Sequence, residues 1–566
     1  MSRQSNDRGR RQFLLTASMA GAALRPEHAA AAPTGNLSGG SPTTYVIDDT
    51  SAVAETESGK VAGYIQNDIR IFKGMPYAEI LSPEGRWARG AKTRPWAGTR
   101  SSRAAGFVCP EAGATNSYAS DEVLFRTSGA CVRFPGENCL NLNIWTPGLD
   151  NKKRQVMFWC HGGGYNNGSS LMSAHYDFTN LARHGDVVIV SMNHRLNALG
   201  FLDLTAYGPR WAESANIGML DIVDALKWVR TNISNFGGDP AKVMIFGHSG
   251  GGSKVMTLMS MPEATGLFNR AIIQSPGPLP LSTRDEAAAR TATFLKMVDV
   301  SPSNLDALYK LPVEKLTAAA ATIASASNIA RESFATVNTP ANNVWRPVVD
   351  GRTVLSEPTE PNAPSNVPVM IGTALHEAYG ALGHPEYDEM SEKQAREIAH
   401  GYFGPIGDQV YDVYKGAFPR ATPFEVSAMA RATGRMRLYT AKMAQNRAAF
   451  NAAPTYLYWF QWRAKILGGR AKSHHELEIP LVFLNSDDTA QFTGGTAEAR
   501  ALGMKMADAW LAFARTGNPN TKALPNWTPV TPKNQTSMVF DNQCRVDPGS
   551  DAAAIDLIWK SRHPNA

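Results

Sequence analysis

Over residues 243–255 the chain reads VMIFGHSGGGSKV. The apolar run Val243 to Phe246 has the character of a buried strand, and Val255, Leu258 and Met259 then recur at helical spacing. The chain therefore turns sharply from strand to helix with Ser249 at the bend, in the arrangement G-x-S-x-G. Such a turn holds a strained serine, and its small neighbours let the bend close and a substrate approach. Ser249 is thus a candidate nucleophile. The same glycines do not suit nucleotide binding. Ser249 stands where G-x-G-x-x-G requires its second glycine, and Lys254 follows Ser253 instead of preceding it, so G-x-x-x-x-G-K-[ST] fails.

A serine hydroxyl is a weak nucleophile at neutral pH and needs a base, an acid to orient that base, and donors for an oxyanion. HGGGYNNG, residues 161–168, follows another apolar run. Its Gly163 and Gly164 N–H groups, with that of Gly250 just after the serine, are candidate oxyanion donors. Glu377, in VPVMIGTALHEAYG, lies just past an apolar strand and is a candidate acid. GRAKSHHELEIPLVF offers two candidate bases, His474 and His475, and spacing does not choose between them. Together these groups could carry acyl transfer on an ester, or on an amide or carbamate. No metal or cofactor is needed for it, and His161 and His194 have no third ligand at metal spacing.

The elements that must position these residues alternate along the chain. VMFWC (156–160), DVVIVSMN (186–193), KVMIF (242–246), RAIIQS (270–275), VPVMIG (367–372), TYLYWF (455–460) and SMVFD (537–541) are strand-like. Between them DIVDALKWVRTNI (221–233) puts Ile222, Leu226, Val229 and Ile233 on one helical face. Continuous apolar strands separated by amphipathic helices predict an α/β fold with a mostly parallel sheet covered on both faces. Reactive groups then lie at the carboxyl ends of the strands, where both glycine-rich segments fall. Two helical regions, about 287–335 and 392–451, are expected as excursions over the site.

Of the 566 residues, 43% are apolar and 19% charged, enough apolar content for a large core and too little charge for disorder. Residues 1–32 read as an export signal: Arg3, Arg8, Arg10 and Arg11, then the apolar FLLTASMAGAAL (13–24), then HAAAAP with A-x-A cleavage near Ala30 to Ala32. RRQFLL is similar to the twin-arginine consensus, a receptor-read address. Residues 33–50 are expected to be a flexible segment and 51–566 a single domain, exported to the periplasm or medium and without a membrane anchor, its passage depending on export machinery. Of the net charge of +6, Arg3, Arg8, Arg10, Arg11 and Arg25 against Asp7 and Glu27 contribute +3. The small remainder on a large body is no footprint for nucleic acid. The five cysteines are Cys109, Cys131, Cys139, Cys160 and Cys544; some should pair in an exported chain, and Cys160, inside an apolar strand, reads as a buried inert thiol.

These motifs extend into a broader resemblance. IFKGMPYAE (71–79), GENCLNLNIWTP (136–147), HGGGY (161–165), NHRLNALGFL (193–202), NIGMLDIVDALKWVRTNISNFGGDP (216–240), FGHSGGGS (246–253), IGTALHEA (371–378), HELEIPLVF (475–483) and AWLAFARTGNPN (509–520) resemble, in order, landmarks of the type-B carboxylesterase and cholinesterase family of the α/β-hydrolase fold, especially bacterial esterases of the para-nitrobenzyl esterase kind. The resemblance implies a serine carboxylesterase acting on small-molecule esters, with Ser249 as nucleophile, Glu377 as acid and His475, not His474, as base. It implies a Cys109–Cys139 disulfide closing a loop over the entrance, and structural ion pairs Arg195–Asp221 and Arg86–Glu137. The loop from Glu111 to Asn138 carries Tyr118, Phe125 and Phe134 but no tryptophan, so choline esters are not expected. Non-catalytic relatives lack a triad member, whereas all three positions are filled here. His248 and Gly250 stand where the family often has Glu and Ala. If His248 protonates, it is expected to oppose protonation of His475, so that His248→Gln alters the acid limb of the pH–rate profile.

Overall fold

A computed structural model describes residues 43–112, 134–277, 280–328, 345–360, 363–377, 384–450 and 452–564. The expected signal, Cys131, Tyr118 and Phe125 lie outside the described residues. Twelve strands form the main sheet: β1 (Tyr45–Val46), β2 (Tyr64–Gln66), β3 (Ile69–Pro76), β4 (Asn141–Thr146), β5 (Arg154–Cys160), β6 (Val188–Met192), β7 (Gly238–His248), β8 (Arg270–Gln274), β9 (Val369–Ala374), β10 (Thr455–Phe460), β11 (Ser537–Phe540) and β12 (Arg545–Asp547). Their spatial order is β1-β2-β3-β4-β6-β5-β7-β8-β9-β10-β11-β12. From β6 across to β11 every pairing is parallel, and the flanking pairings are antiparallel. A small separate sheet joins Val53–Thr56, Gly59–Ala62 and Thr99–Ser101.

The parallel strands are apolar on both faces because both faces are covered. All residues of β5, β6, β9, β10 and β11 are buried. The principal helices are α1 (Ile217–Asn232), α2 (Gly250–Met259), α3 (Arg284–Val298), α4 (Val313–Asn328), α5 (Glu392–Phe403), α6 (Gly407–Ala417), α7 (Pro423–Ala432), α8 (Leu438–Ala449), α9 (Glu478–Val482), α10 (Ala497–Thr516) and α11 (Ala552–Arg562). Val243 and Ile245 of β7 pack in one core with Leu226 and Val229 of α1 and Val255 and Leu258 of α2. Their neighbours Met244 and Phe246 enter the opposite core with Leu481 of α9 and Trp510 of α10. That alternation is the period-two geometry of a strand.

The excursions begin where side chains cap them. α3 starts at Arg284, ahead of the expected Ala287, because Thr283 and Glu286 form a capping box; Ser391 with Gln394 and Thr422 with Glu425 do the same for α5 and α7. α1 starts four residues before the expected Asp221 and is buried over most of its circumference. Residues 43–50 are not wholly irregular: Tyr45 and Val46 pair with β2 at the sheet edge.

Both expected ion pairs are formed. Arg195 and Asp221 are buried and bonded through both guanidinium branches, with Arg195 Nε donating to Asp221 Oδ2 at 2.8 Å. Arg195 Nη1 also donates to the carbonyls of Arg86 (3.0 Å) and Ala88 (2.7 Å). Arg86 is bonded twice to Glu137. The expected Cys109–Cys139 disulfide is not formed in the structure, where both are buried thiols. Burial pushes the Cys109 thiol well above its ordinary pKa, which suppresses the thiolate that exchange chemistry requires. The neck of this loop is closed without a covalent bond, by Val108 N–H to Phe134 O (2.9 Å), Gly136 N–H to Val108 O (3.0 Å) and the Arg86–Glu137 pair.

Removing one partner of a buried ion pair strands the other charge. Asp221→Asn is therefore expected to lower unfolding free energy by about 3–5 kcal/mol in a denaturant titration, whereas Arg195→Met with Asp221→Leu together should lose clearly less. Equal losses in the two proteins would show that a stranded charge is not what destabilises Asp221→Asn.

Candidate active site

β7 ends at His248 and α2 begins at Gly250, leaving Ser249 alone in the bend. Its backbone has φ 58° and ψ −125°, a region costing about 1–3 kcal/mol for a residue with a Cβ. Three backbone bonds hold it there. Ser249 N–H donates to Gln274 O at the end of β8 (2.9 Å), and Ser249 O accepts from Ser253 N–H (3.1 Å) and Gly277 N–H (3.0 Å). The bend also depends on close approach. A Cβ at Gly251 would overlap the Cys160 carbonyl, and one at Gly250 would overlap the Gly164 backbone. The first turn of α2 thus lies directly against the end of β5 and the glycine loop that follows it.

That loop brings Gly163 (φ 87°) and Gly164 (φ 64°), both left-handed, over the elbow. A Cβ built on Gly162 would lie 3.6 Å from the Cβ of Ser249. Tyr165 anchors the far side: its hydroxyl bonds to Thr257 Oγ1 on α2 (3.0 Å), and its carbonyl accepts from Asn197 N–H (2.8 Å). Gly163, Gly164 and Gly250 therefore lie together.

Glu377 sits three residues beyond β9, with φ 50° and 3% exposure. Its Oε1 accepts Ala374 N–H (2.8 Å), and its Oε2 accepts a hydrogen bond from His475 Nδ1. That bond puts the ring proton on Nδ1 and leaves Nε2 as the basic nitrogen. The backbone at Glu377 also pairs with that at His474, so the chain itself fixes carboxylate against imidazole. His475 is 8% exposed. The structure gives the Glu377 contact to His475 and buries His474 among His175, His475 and Glu476.

His248 connects the two halves. Its Nε2–H donates to the His475 carbonyl (2.6 Å), and the two rings lie 4.4 Å apart. Burial, and then the neighbouring His475, hold its pKa well below 6.5. Burial and the neighbouring imidazole thus both disfavour charge on His248. What the geometry gives it is a hydrogen bond to the backbone of His475.

Two further buried groups escaped the sequence reading. Lys254 lies within α2, with Nζ bonded to the His161 carbonyl. Glu478, in α9, accepts from Gln274 Nε2 (3.1 Å) and Tyr458 Oη (3.0 Å) through Oε1. The H-x-x-E spacing from His475 was the available signal for Glu478; a lysine one turn past a glycine elbow gives none.

Burial pushes Glu478 up from 4.5 to about 7. A raised carboxyl contributes stability that is fully present below about 4.5 and is lost as pH rises through about 7. Glu478→Gln keeps the acceptor oxygen and cannot ionise. Its Tm relative to wild type is expected to improve steadily from about pH 4.5 to above about pH 7. A Tm difference independent of pH in thermal denaturation would contradict this.

The carboxylesterase family model matches residues 50–557. The para-nitrobenzyl esterase of Bacillus subtilis (strain 168) is 32% identical over 523 residues, covering 91% of this chain and 99% of that protein. Phenmedipham hydrolase of Pseudarthrobacter oxydans is 30% identical, with 84% and 92% covered. An esterase from anaerobic Clostridium hathewayi, described as able to hydrolyse aliphatic aromatic polyesters, superposes with a TM-score of 0.77 at 32% identity, covering 92% of this chain and 100% of that one. With its mostly parallel sheet, helices on both faces and a strand–serine–helix elbow, this chain belongs to the carboxylesterase family of the α/β-hydrolase fold and is a carboxylic ester hydrolase.

Proposed function

We propose that the chain is an exported serine carboxylesterase working through an acyl-enzyme on Ser249. The observation that carries this reading is the Glu377–His475 hydrogen bond, formed beside an elbow that holds Ser249 in a strained bend. As Ser249 Oγ attacks the ester carbonyl carbon, His475 Nε2 takes its proton, and the carbonyl π pair moves to oxygen. Glu377 holds the ring and stabilises its cation. The N–H groups of Gly163, Gly164 and Gly250 receive the oxyanion, each typically worth roughly 2.7–4 kcal/mol in the transition state. Collapse expels the alcohol, which takes its proton from His475, and water then repeats the sequence on the acyl-enzyme.

Ser249→Ala is expected to reduce kcat on a short-chain p-nitrophenyl ester by about a thousandfold or more. Wild type incubated with a fluorophosphonate should gain one covalent adduct, mapped to Ser249 by mass spectrometry and absent from the variant. Retained activity or an adduct at another residue would overturn the assignment. Rates on a matched ester and amide then distinguish an esterase from an amidase using the same triad.

Export is part of the proposal. The family match begins at residue 50, which supports reading the basic and apolar stretch before it as an address rather than as part of the hydrolase. No described helix is long and apolar enough to cross a membrane. In a bacterial host with a twin-arginine pathway, Arg10→Lys with Arg11→Lys is expected to leave unprocessed chain in the cytoplasm while wild type is cleaved and exported. Unchanged export would replace the twin-arginine reading with a general secretory one.

A further inference from the structure

The strands β5 and β7 pair in parallel as far as Cys160 opposite Gly247. There the ladder ends, because β7 gives way to the elbow at Ser249. The carbonyl of His161, the residue that opens the glycine loop, is therefore beyond the reach of its neighbouring strand. Lys254 fills the gap from the other side. It lies on α2, five residues after Ser249, is fully buried, and donates from Nζ to His161 O at 2.9 Å. A buried amine in an apolar core is costly unless it does something an apolar residue cannot. Here it joins the helix that begins at the elbow to the first peptide of the loop that carries Gly163 and Gly164.

We propose that Lys254 is a positioning residue of the oxyanion hole: its buried Nζ, fixed on the His161 carbonyl, sets the distance between the glycine loop and Ser249. The inference rests on the acyl-transfer reading of the site. The titratable and aromatic groups recorded against the amine are the Cys160 thiol at the end of β5, the His194 imidazole and the Tyr165 ring, whose centre is 6.0 Å from Nζ. None is a carboxylate. Burial draws the amine from 10.5 down to about 7. Burial likewise holds His194 neutral, and charge on Lys254 reinforces this. Amine and ammonium both keep an N–H for His161 O, and the ammonium makes the stronger bond.

The test is Lys254→Met, which keeps an unbranched apolar stem of the same reach as Gln and removes the donor. Removing a buried amine relieves its desolvation cost, so Tm is expected to hold or rise, whereas kcat on a p-nitrophenyl ester should fall about tenfold or more with KM within about twofold. A trifluoromethyl ketone, which Ser249 Oγ converts to an anionic hemiketal in the hole, should lose affinity by a similar factor. Lys254→Gln, which retains an N–H one atom shorter, should recover part of both losses.

If Lys254→Met keeps kcat and ketone affinity within about twofold of wild type, the proposal is overturned whatever its Tm does. If wild type itself neither binds the ketone nor depends on Ser249, the acyl-transfer reading falls and takes the proposal with it. If neither variant folds, wild type labelled with 13C at lysine Cε decides. The resonance titrating near about pH 7 should shift when the ketone binds, and one that does not move would overturn the proposal.

Discussion

No side chain fits between the first turn of α2 and the end of β5. Gly250 and Gly251 put bare backbone against the Gly164 peptide and the Cys160 carbonyl, and this contact sets the arrangement of the site. It forces the chain to reverse at Ser249 within one residue, and it brings a loop from one strand over a helix from the next. It also requires a sheet whose central strands are parallel and in register, because their ends must come out side by side. The apolar cores on both faces of β7 hold those ends rigid.

Around this contact the protein has buried several groups that ordinarily carry charge. His248 and His194 are held neutral by burial, and Glu478 and Lys254 are both drawn towards about 7 from opposite sides. Each makes at least one hydrogen bond that fixes a backbone or a neighbouring side chain, or lies against one that does. His248 and Glu478 stand beside the Glu377–His475 pair, and Lys254 and His194 lie against the start of the glycine loop. In such a setting a charge that develops on the imidazole or on a substrate oxygen meets oriented dipoles in place of mobile water.

Much of this was legible in the sequence because burial on two faces leaves a plain mark. β5 to β11 show as short apolar runs, and the glycines after β5 and β7 show that backbone must come close. The antiparallel strands β1 to β3 and the small sheet leave little mark because they are short or partly exposed, and β4, though wholly buried, breaks its apolar run with Asn141, Asn143 and Thr146. α3 starts earlier than its apolar spacing suggested because the Thr283–Glu286 cap, not hydrophobicity, sets its first turn. Glu377 looks like any carboxylate past a strand; its neighbour across the site comes from a segment 98 residues away. His475 could be separated from His474 only by resemblance until the bond to Glu377 was seen. Lys254 and Glu478 were missed because both residue types usually face water, and their meaning is visible only once each is found buried with a named partner. The Cys109–Cys139 pairing came from the resemblance alone, since cysteine spacing does not say which thiols pair.

The two helical excursions leave the sheet after β8 and after β9 and return to it at β9 and β10. Ser249 and the glycine loop lie outside both, and Glu377 lies at the root of the second, within bonding distance of the β9 end. Ser249 and the glycine loop are thus encoded separately from both excursions. A change of length or sequence inside either excursion can therefore leave in place the strand ends on which Ser249 and the glycine loop are built.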